Sequence, residues 1–450
     1  MERNLTTGSV FKNLLYFSIP FFLSYFLQTF YGMADLFIIG QFGGVADITA
    51  VSIGSQVMHM LTVMIVGLAM GTTVTVSRSV GAKNKKETSA AIGNTITIFT
   101  IAAIFFTVLL LVLVKPIARV MSTPEEAFGG TVNYLTICFM GIPFITAYNI
   151  ISSIFRGLGD SKSPMYFIAA ACVSNIILDY IFMGIFDMGP AGAALGTSLS
   201  QTISVIISLI VILKRDTGIH IKKSDFKPVY DTMKQILKTG VPISLQDGFI
   251  QISFMVITII ANNRGLNDAA AVGIVEKVIG IFFLVPSSML SSVSALAAQN
   301  LGAKKPERAK LTLKYAILFA VGFGIIVSFI TQFFAEEIVG IFENDAEVMR
   351  LGGEYLRSYI WDCVFAGASF CFSGYFCAME RSELSFIHNA ASILFVRIPV
   401  AYIMSEMFAD TLFPMGTAPP LGSALSVIIC VIAYLILNRK KSLSQKMIKN

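Results

Sequence analysis

Long apolar runs alternate along the whole chain with short polar segments rich in Lys, Gly and Pro. Runs such as Ala90–Val114 and Thr197–Leu213 are long enough, as helices, to cross the roughly 30 Å hydrocarbon core of a bilayer. In lipid every backbone polar group must find its partner within the segment, and a helix does this. The pattern predicts twelve helices, at 14–40, 48–80, 88–114, 128–156, 162–185, 190–213, 232–262, 268–299, 309–334, 346–379, 384–408 and 420–438. The first run opens near Leu14 and continues past residue 30 with no small-residue cleavage site, so it reads as a retained helix rather than a signal peptide. No polar stretch is long enough for a soluble domain.

Composition agrees: 55% of the 450 residues are hydrophobic and 13% charged, against about 25% charged in a soluble domain. The net charge of +6 does not point to nucleic acid, because of where the cations lie. With the N-terminus inside, the inner segments are 1–13, 78–87, 156–163, 214–238, 300–314, 380–383 and the tail from Asn438. They hold roughly 26 of the 33 Lys and Arg, the outer loops about 4 and the spans about 3. The outer segment Ala335–Asp345 carries Glu336, Glu337, Glu343 and Asp345. The expectation is a multi-pass protein of a bacterial or archaeal plasma membrane with both termini cytoplasmic. The bilayer is a partner; Lys214–Lys227 and the Arg439–Lys441 tail read as solvated segments at its inner face. All six cysteines fall inside apolar runs, where they pack as small hydrophobes.

The two halves resemble each other. Ser79-Val-Gly-Ala-Lys-Asn-Lys-Lys-Glu87 recurs as Asn300-Leu-Gly-Ala-Lys-Lys-Pro-Glu307, Ser18-Ile-Pro20 matches Gly240-Val-Pro242, and Tyr134-Leu135 matches Tyr355-Leu356. An even number of helices per half sends both halves into the membrane the same way, so the repeat is parallel. The fold expected is an all-α membrane protein with twelve transmembrane helices in two pseudo-symmetric six-helix lobes. Its divisions are an N-lobe at 1–213, a linker at 214–231, a C-lobe at 232–438 and a cytoplasmic tail at 439–450. Two such lobes with a cleft between them suit a rocking carrier.

An ionisable residue at the centre of a membrane helix costs on the order of 2.5–3.5 kcal/mol, so each needs a reason. In the first half the exceptions are Asp35 on helix 1 and Asp179 on helix 5. Asn175, four residues before Asp179, faces the same side of its helix, and Thr197 lies on helix 6. Counting in from the helix ends puts all four in the outer half of the bilayer, with no Lys or Arg at that depth. Two carboxylates, an amide and a hydroxyl make a set of hard oxygen donors for a small cation such as Na⁺, and equally a place for H⁺. The second half has Gln246 and Asp247 on helix 7, Glu276 and Lys277 on helix 8, Asp362 on helix 10 and Arg397 on helix 11. By the repeat offset Asp35 maps to Ile257 and Asp179 to Val400, so the acid site was not copied. Pairing of Glu276 or Asp362 with Arg397 is expected as packing glue, and Lys277 is expected to snorkel to the surface. Pro20 and Pro242, early in the first helix of each lobe, are candidate hinges. Trp361 and the many Phe and Met read as packing or lipid-facing residues, and His59 and His388 receive no role.

These residues carry a resemblance to the multidrug and toxic compound extrusion (MATE) family over essentially the whole length. Tyr31-Gly-Met-Ala-Asp35-Leu-Phe-Ile-Ile-Gly40 resembles its helix 1 signature. The Gly-Ala-Lys segments after helices 2 and 8, Phe155-Arg-Gly-Leu-Gly-Asp-Ser-Lys162 and Ala191-Gly-Ala-Ala-Leu-Gly-Thr197 are similar to family segments in the same order. The resemblance is strongest to the bacterial DinF-like branch, which implies an N-lobe cation site at Asp35, Asn175, Asp179 and Thr197, with a bending proline at Pro20. The chain departs from the NorM-like branch, whose helix 7 glutamate has no clear match; Gln246 and Asp247 are displaced from it.

The resemblance implies secondary multidrug efflux, by antiport of organic, cationic and amphipathic small molecules against Na⁺ or H⁺, with no cofactor and a working monomer. A flippase for lipid-linked saccharides is the alternative, disfavoured by twelve spans and few intramembrane cations. A membrane-embedded enzyme finds no His-rich metal set, Gly-x-Ser-x-Gly or nucleophile–base pair in the sequence.

Overall fold

A computed structural model describes residues 4–214 and 221–449, with side chains described as far as Arg439. Part of the 214–231 linker and most of the tail's side chains therefore lie outside the described residues. Helices account for all the regular structure among those described. They are α1 (Val10–Phe42), α2 (Val45–Gly81), α3 (Lys85–Val120), α4 (Glu125–Gly157), α5 (Lys162–Asp179) and α6 (Gly189–Lys214) in the first half. The second half has α7 (Tyr230–Asn262), α8 (Leu266–Phe282), α9 (Leu284–Gly302), α10 (Pro306–Gly340), α11 (Ala346–Tyr359), α12 (Asp362–Ala378), α13 (Glu383–Ser392), α14 (Ile398–Met407) and α15 (Ala418–Lys449). Among the described residues, eleven helical segments are long and apolar enough to cross a membrane. The pair α11 and α12, bent by 42° at a short break, makes the twelfth.

Every expected span is present, but three are interrupted. The helix expected at 268–299 breaks between α8 and α9, and that at 346–379 bends between α11 and α12. The one at 384–408 passes through a π-helical turn, Ile393–Arg397, before α14. A second π turn, Tyr180–Ile185, follows α5 directly. The last helix runs on to Lys449 rather than stopping near 438.

Local signals explain the ends. Asn84 caps α3, accepting from Glu87 N at 3.1 Å while its own amide donates to the Glu87 carboxylate at 3.0 Å. Asp345 caps α11 by accepting from Glu347 N and Val348 N, each at 3.0 Å. The repeat is visible in the turns. Lys83 (φ 56°) and Lys304 (φ 57°) are both left-handed, and so are Gly159 (φ 92°) and Glu380 (φ 59°). Each supplies the stop that ends its helix: Asn84 N bonds to Ser79 O and Lys305 N to Asn300 O in the same pattern. Each pair of turns is separated by the same number of residues, so the two Gly-Ala-Lys copies are one structural device used twice.

The chain forms two compact units, residues 1–244 with 298–306, and residues 245–297 with 307–450. The first unit takes in the start of α7 and the end of α9. In that unit α4 packs against α2, α3 and α6, and α5 against α1 and α6. In the other, α8 packs against α11, and α12 and α13 against α15. Close crossings in the first unit use glycine. A Cβ on Gly71 would meet the Ile236 carbonyl and one on Gly240 the Leu68 carbonyl, so α2 and α7 touch backbone to backbone. Gly81 and Gly302 do the same for α2 and the end of α9.

Candidate functional site

The four residues expected to meet in the first half do meet. Asp35 on α1 is 3% exposed, Asn175 and Asp179 on α5 are fully buried, and Thr197 on α6 is 8% exposed. Thr197 Oγ1 donates to Asp35 Oδ2 at 3.2 Å. Asn175 and Asp179 stand within electrostatic reach of the same carboxylate. Two features of the chain make this possible. Gly196 lets α6 close on α5: a Cβ there would run into Asp179 Oδ1, with Asp179 Cγ at 3.1 Å. The π turn begins at the residue after Asp179, and such turns carry an extra residue that re-aims the flanking side chains.

Hydrogen bonding within the group is incomplete. Both Asp179 oxygens, Asp35 Oδ1 and both polar atoms of Asn175 are buried without a protein partner. Buried carboxylates need a compensating positive charge or donors, and Thr197 supplies only one hydroxyl. The arrangement can therefore take up one small positive species between two acids. Among the described residues no three His, Cys, Asp or Glu side chains converge as a metal-holding group, so a cation here would rely on the amide and hydroxyl as well. Tyr31, a turn before Asp35 on α1, and Gln201, a turn after Thr197 on α6 with its Oε1 unpartnered, flank the group. Tyr31 and Gly196 fall within sequence segments quoted above but received no role of their own, and Gln201, four residues after Thr197, could have been found by stepping along that helix face.

The second half brings together a different set. Arg397, 7% exposed, closes the π turn and donates from Nη2 to Tyr359 Oη at 2.6 Å. Its guanidinium lies over the Phe254 ring at 4.9 Å and the Tyr359 ring at 5.8 Å. Asp362 is fully buried with neither carboxylate oxygen partnered, and Glu276 accepts from Thr258 at 3.1 Å through one oxygen only. Arg397 is in electrostatic range of both acids, but no ion pair joins them. The expected direct pairing is thus corrected: the tyrosine, not a carboxylate, holds the guanidinium, because α11 places Tyr359 nearer. Lys277 is exposed on α8. Gln246 is buried with Oε1 unpartnered; Asp247 is half-buried and lies near Cys377 on α12 rather than in the Arg397 group. Pro20 lies inside α1, with Ser24 Oγ donating to its carbonyl at 2.7 Å, and Pro242 inside α7.

Apolar helices and buried acids describe a polytopic membrane protein. The MatE family model matches residues 20–181 and again 242–403, and the chain belongs to that family. It is 28% identical over 414 residues to the probable multidrug resistance protein YpnP of Bacillus subtilis, covering 92% of each chain. It is 26% identical over 407 residues to the multidrug export protein MepA of Staphylococcus aureus, covering 89% of each. A MATE protein crystallised in a bent conformation superposes with a TM-score of 0.89 at 23% identity, over 99% of this chain and 98% of that one. A MOP superfamily transporter of Pyrococcus furiosus, described as having a binding pocket of reversed polarity, gives 0.89 and 23% over 98% and 97%.

Laying the two matched segments end to end, so that Tyr180-Ile181 meets Tyr402-Ile403, gives one register for the repeat. Asn175-Ile-Ile-Leu-Asp-Tyr-Ile181 falls on Arg397-Ile-Pro-Val-Ala-Tyr-Ile403. The offset grows by one residue between the Gly159/Glu380 turns and this segment, the residue that the π turn at 393–397 inserts. In that register Asp179 stands opposite Ala401 and Asn175 opposite Arg397.

Proposed function

We propose that this transporter exports small amphipathic molecules, organic cations foremost, by antiport against Na⁺ or H⁺ bound among Asp35, Asn175, Asp179 and Thr197. The observation that carries the reading is the pair of buried acids with a single hydroxyl donor between them, given to Asp35 alone, and no Lys or Arg acting on either. Relatives named for multidrug resistance and multidrug export support efflux as the direction. Ion binding between α1 and α5–α6 alters how α1 packs, with Pro20 as the point that gives; Pro242 is the corresponding hinge in α7. The protein works as a monomer in the plasma membrane of a prokaryote with both termini cytoplasmic, following the distribution of Lys and Arg.

The test is ethidium efflux from proteoliposomes under an imposed Na⁺ gradient and then an imposed pH gradient, with Asp35→Asn alongside. Efflux driven by one gradient and lost in the variant supports the reading and names the ion. Gradient-driven efflux that persists in Asp35→Asn removes the site from the mechanism. No efflux beside an active reference exporter moves the weight to a flippase for lipid-linked saccharides.

A further inference from the structure

We propose that Arg397 is the built-in cation of the second half: beside Asp362 and Glu276 its guanidinium fills the part that a mobile ion fills beside Asp35 and Asp179, so only the first half exchanges an ion. The inference rests on the reading of the Asp35 group as the ion site.

Register is the first argument. In the repeat, Arg397 stands where the first half has Asn175. One half therefore places a neutral amide among its acids and the other a guanidinium, at the same point of the same helix. Charge is the second. The first group holds two carboxylates and no cation; the second holds two carboxylates and one cation that cannot be deprotonated. A buried pair of acids with a fixed positive neighbour has less need of a mobile one.

Anchorage is the third. Arg397 is buried, bonded to Tyr359 Oη at 2.6 Å and seated on the faces of Phe254 and Tyr359. A side-chain cation stacked on the Phe254 ring and hydrogen-bonded to the Tyr359 hydroxyl is held in place, so it stays through each cycle, unlike an ion that must leave. The titratable groups acting on it are Tyr355 and Tyr359 from α11, Asp362 from α12 and Glu276 from α8, while α7 supplies the Phe254 ring and α15 packs against it through Gly422. Asp362 offers both oxygens and Glu276 its Oε1 without protein partners, while Arg397 keeps Nε free. Two acids thus lie within electrostatic range of the guanidinium, neither of them bonded to it. Lys277, exposed beside Glu276, takes no part.

The test counts radioactive Na⁺ bound at saturation by purified protein. In the Asp35→Asn background, Arg397→Gln should create a Na⁺ site, and adding Asp362→Asn should remove it. A folded Asp35→Asn/Arg397→Gln protein that binds no Na⁺ overturns the proposal. Arg397→Lys keeps the charge and should bind no additional Na⁺; a gain there also overturns it. Wild type and Asp362→Asn, which do not depend on an Arg397 variant folding, should bind equal amounts of Na⁺, and an Asp362-dependent ion in the wild type overturns it directly. Failure of the Asp35 reading looks different: wild-type Na⁺ binding and coupling would be unchanged by Asp35→Asn, while the Arg397 comparison would still be scored.

Discussion

Gly196→Ala adds a single methyl group and no charge, yet it should disable ion coupling. Its Cβ would occupy the place of Asp179 Oδ1, and Asp179 Cγ lies only 3.1 Å from it. Asp179 is fully buried on α5, so the carboxylate must rotate away or α5 and α6 must part. Overpacking of this kind costs about 1–3 kcal/mol. If the cost falls on the ion-receptive geometry, affinity drops roughly 5- to 150-fold at 1.4 kcal/mol per tenfold. The assay is ethidium efflux from proteoliposomes against stepped concentrations of the driving ion. The half-saturating concentration should rise by that factor, with the maximal rate recovered at high ion. Gly32→Ala is the control, because a Cβ there meets nothing within 4 Å and it lies one turn from Asp35. Wild-type ion dependence in a folded Gly196→Ala protein would refute the argument that Asp179 must approach α6 to bind the ion.

Thr197→Val keeps the side-chain shape but removes the hydroxyl that donates to Asp35 at 3.2 Å; ion affinity should fall roughly 10- to 150-fold, from the 1.5–3 kcal/mol of a charge-assisted hydrogen bond, read in the same titration. Gly81→Ala and Gly302→Ala each force a methyl group into a carbonyl of the facing helix. Each should destabilise by about 1–3 kcal/mol, and the double variant by less than the sum, since either alone already separates the same two helices; thermal unfolding of the three proteins checks this. Arg264 pairs with Asp268 at 3.1 Å and donates to the carbonyls of Ser405, Phe408, Ala409 and Thr411. Arg264→Ala should cost about 2–4 kcal/mol, seen as a lower thermal midpoint with transport per folded molecule unchanged.

Asp35 and Asp179 were legible in the sequence because a carboxylate inside an apolar run is costly wherever it points, and Asn175 followed from helical spacing. The partners of Arg397 were not. Whether it meets an acid or Tyr359 depends on the rotation of α11 against the π turn at 393–397, and that turn leaves no mark in composition. The breaks at Phe283 and between Tyr359 and Asp362 were equally silent, since an apolar run reads the same whether its helix continues or bends.

The sequence by itself determined that the chain crosses a membrane, in about how many spans, and that its halves are copies. Those follow from solvation: lipid admits only backbones that satisfy their own hydrogen bonds, so long apolar runs must be helices. Tertiary structure decided which polar groups share a site. That depends on how closely two helices approach and which faces they turn to each other, and here it rests on the missing side chain of Gly196 and on single residues inserted into π turns.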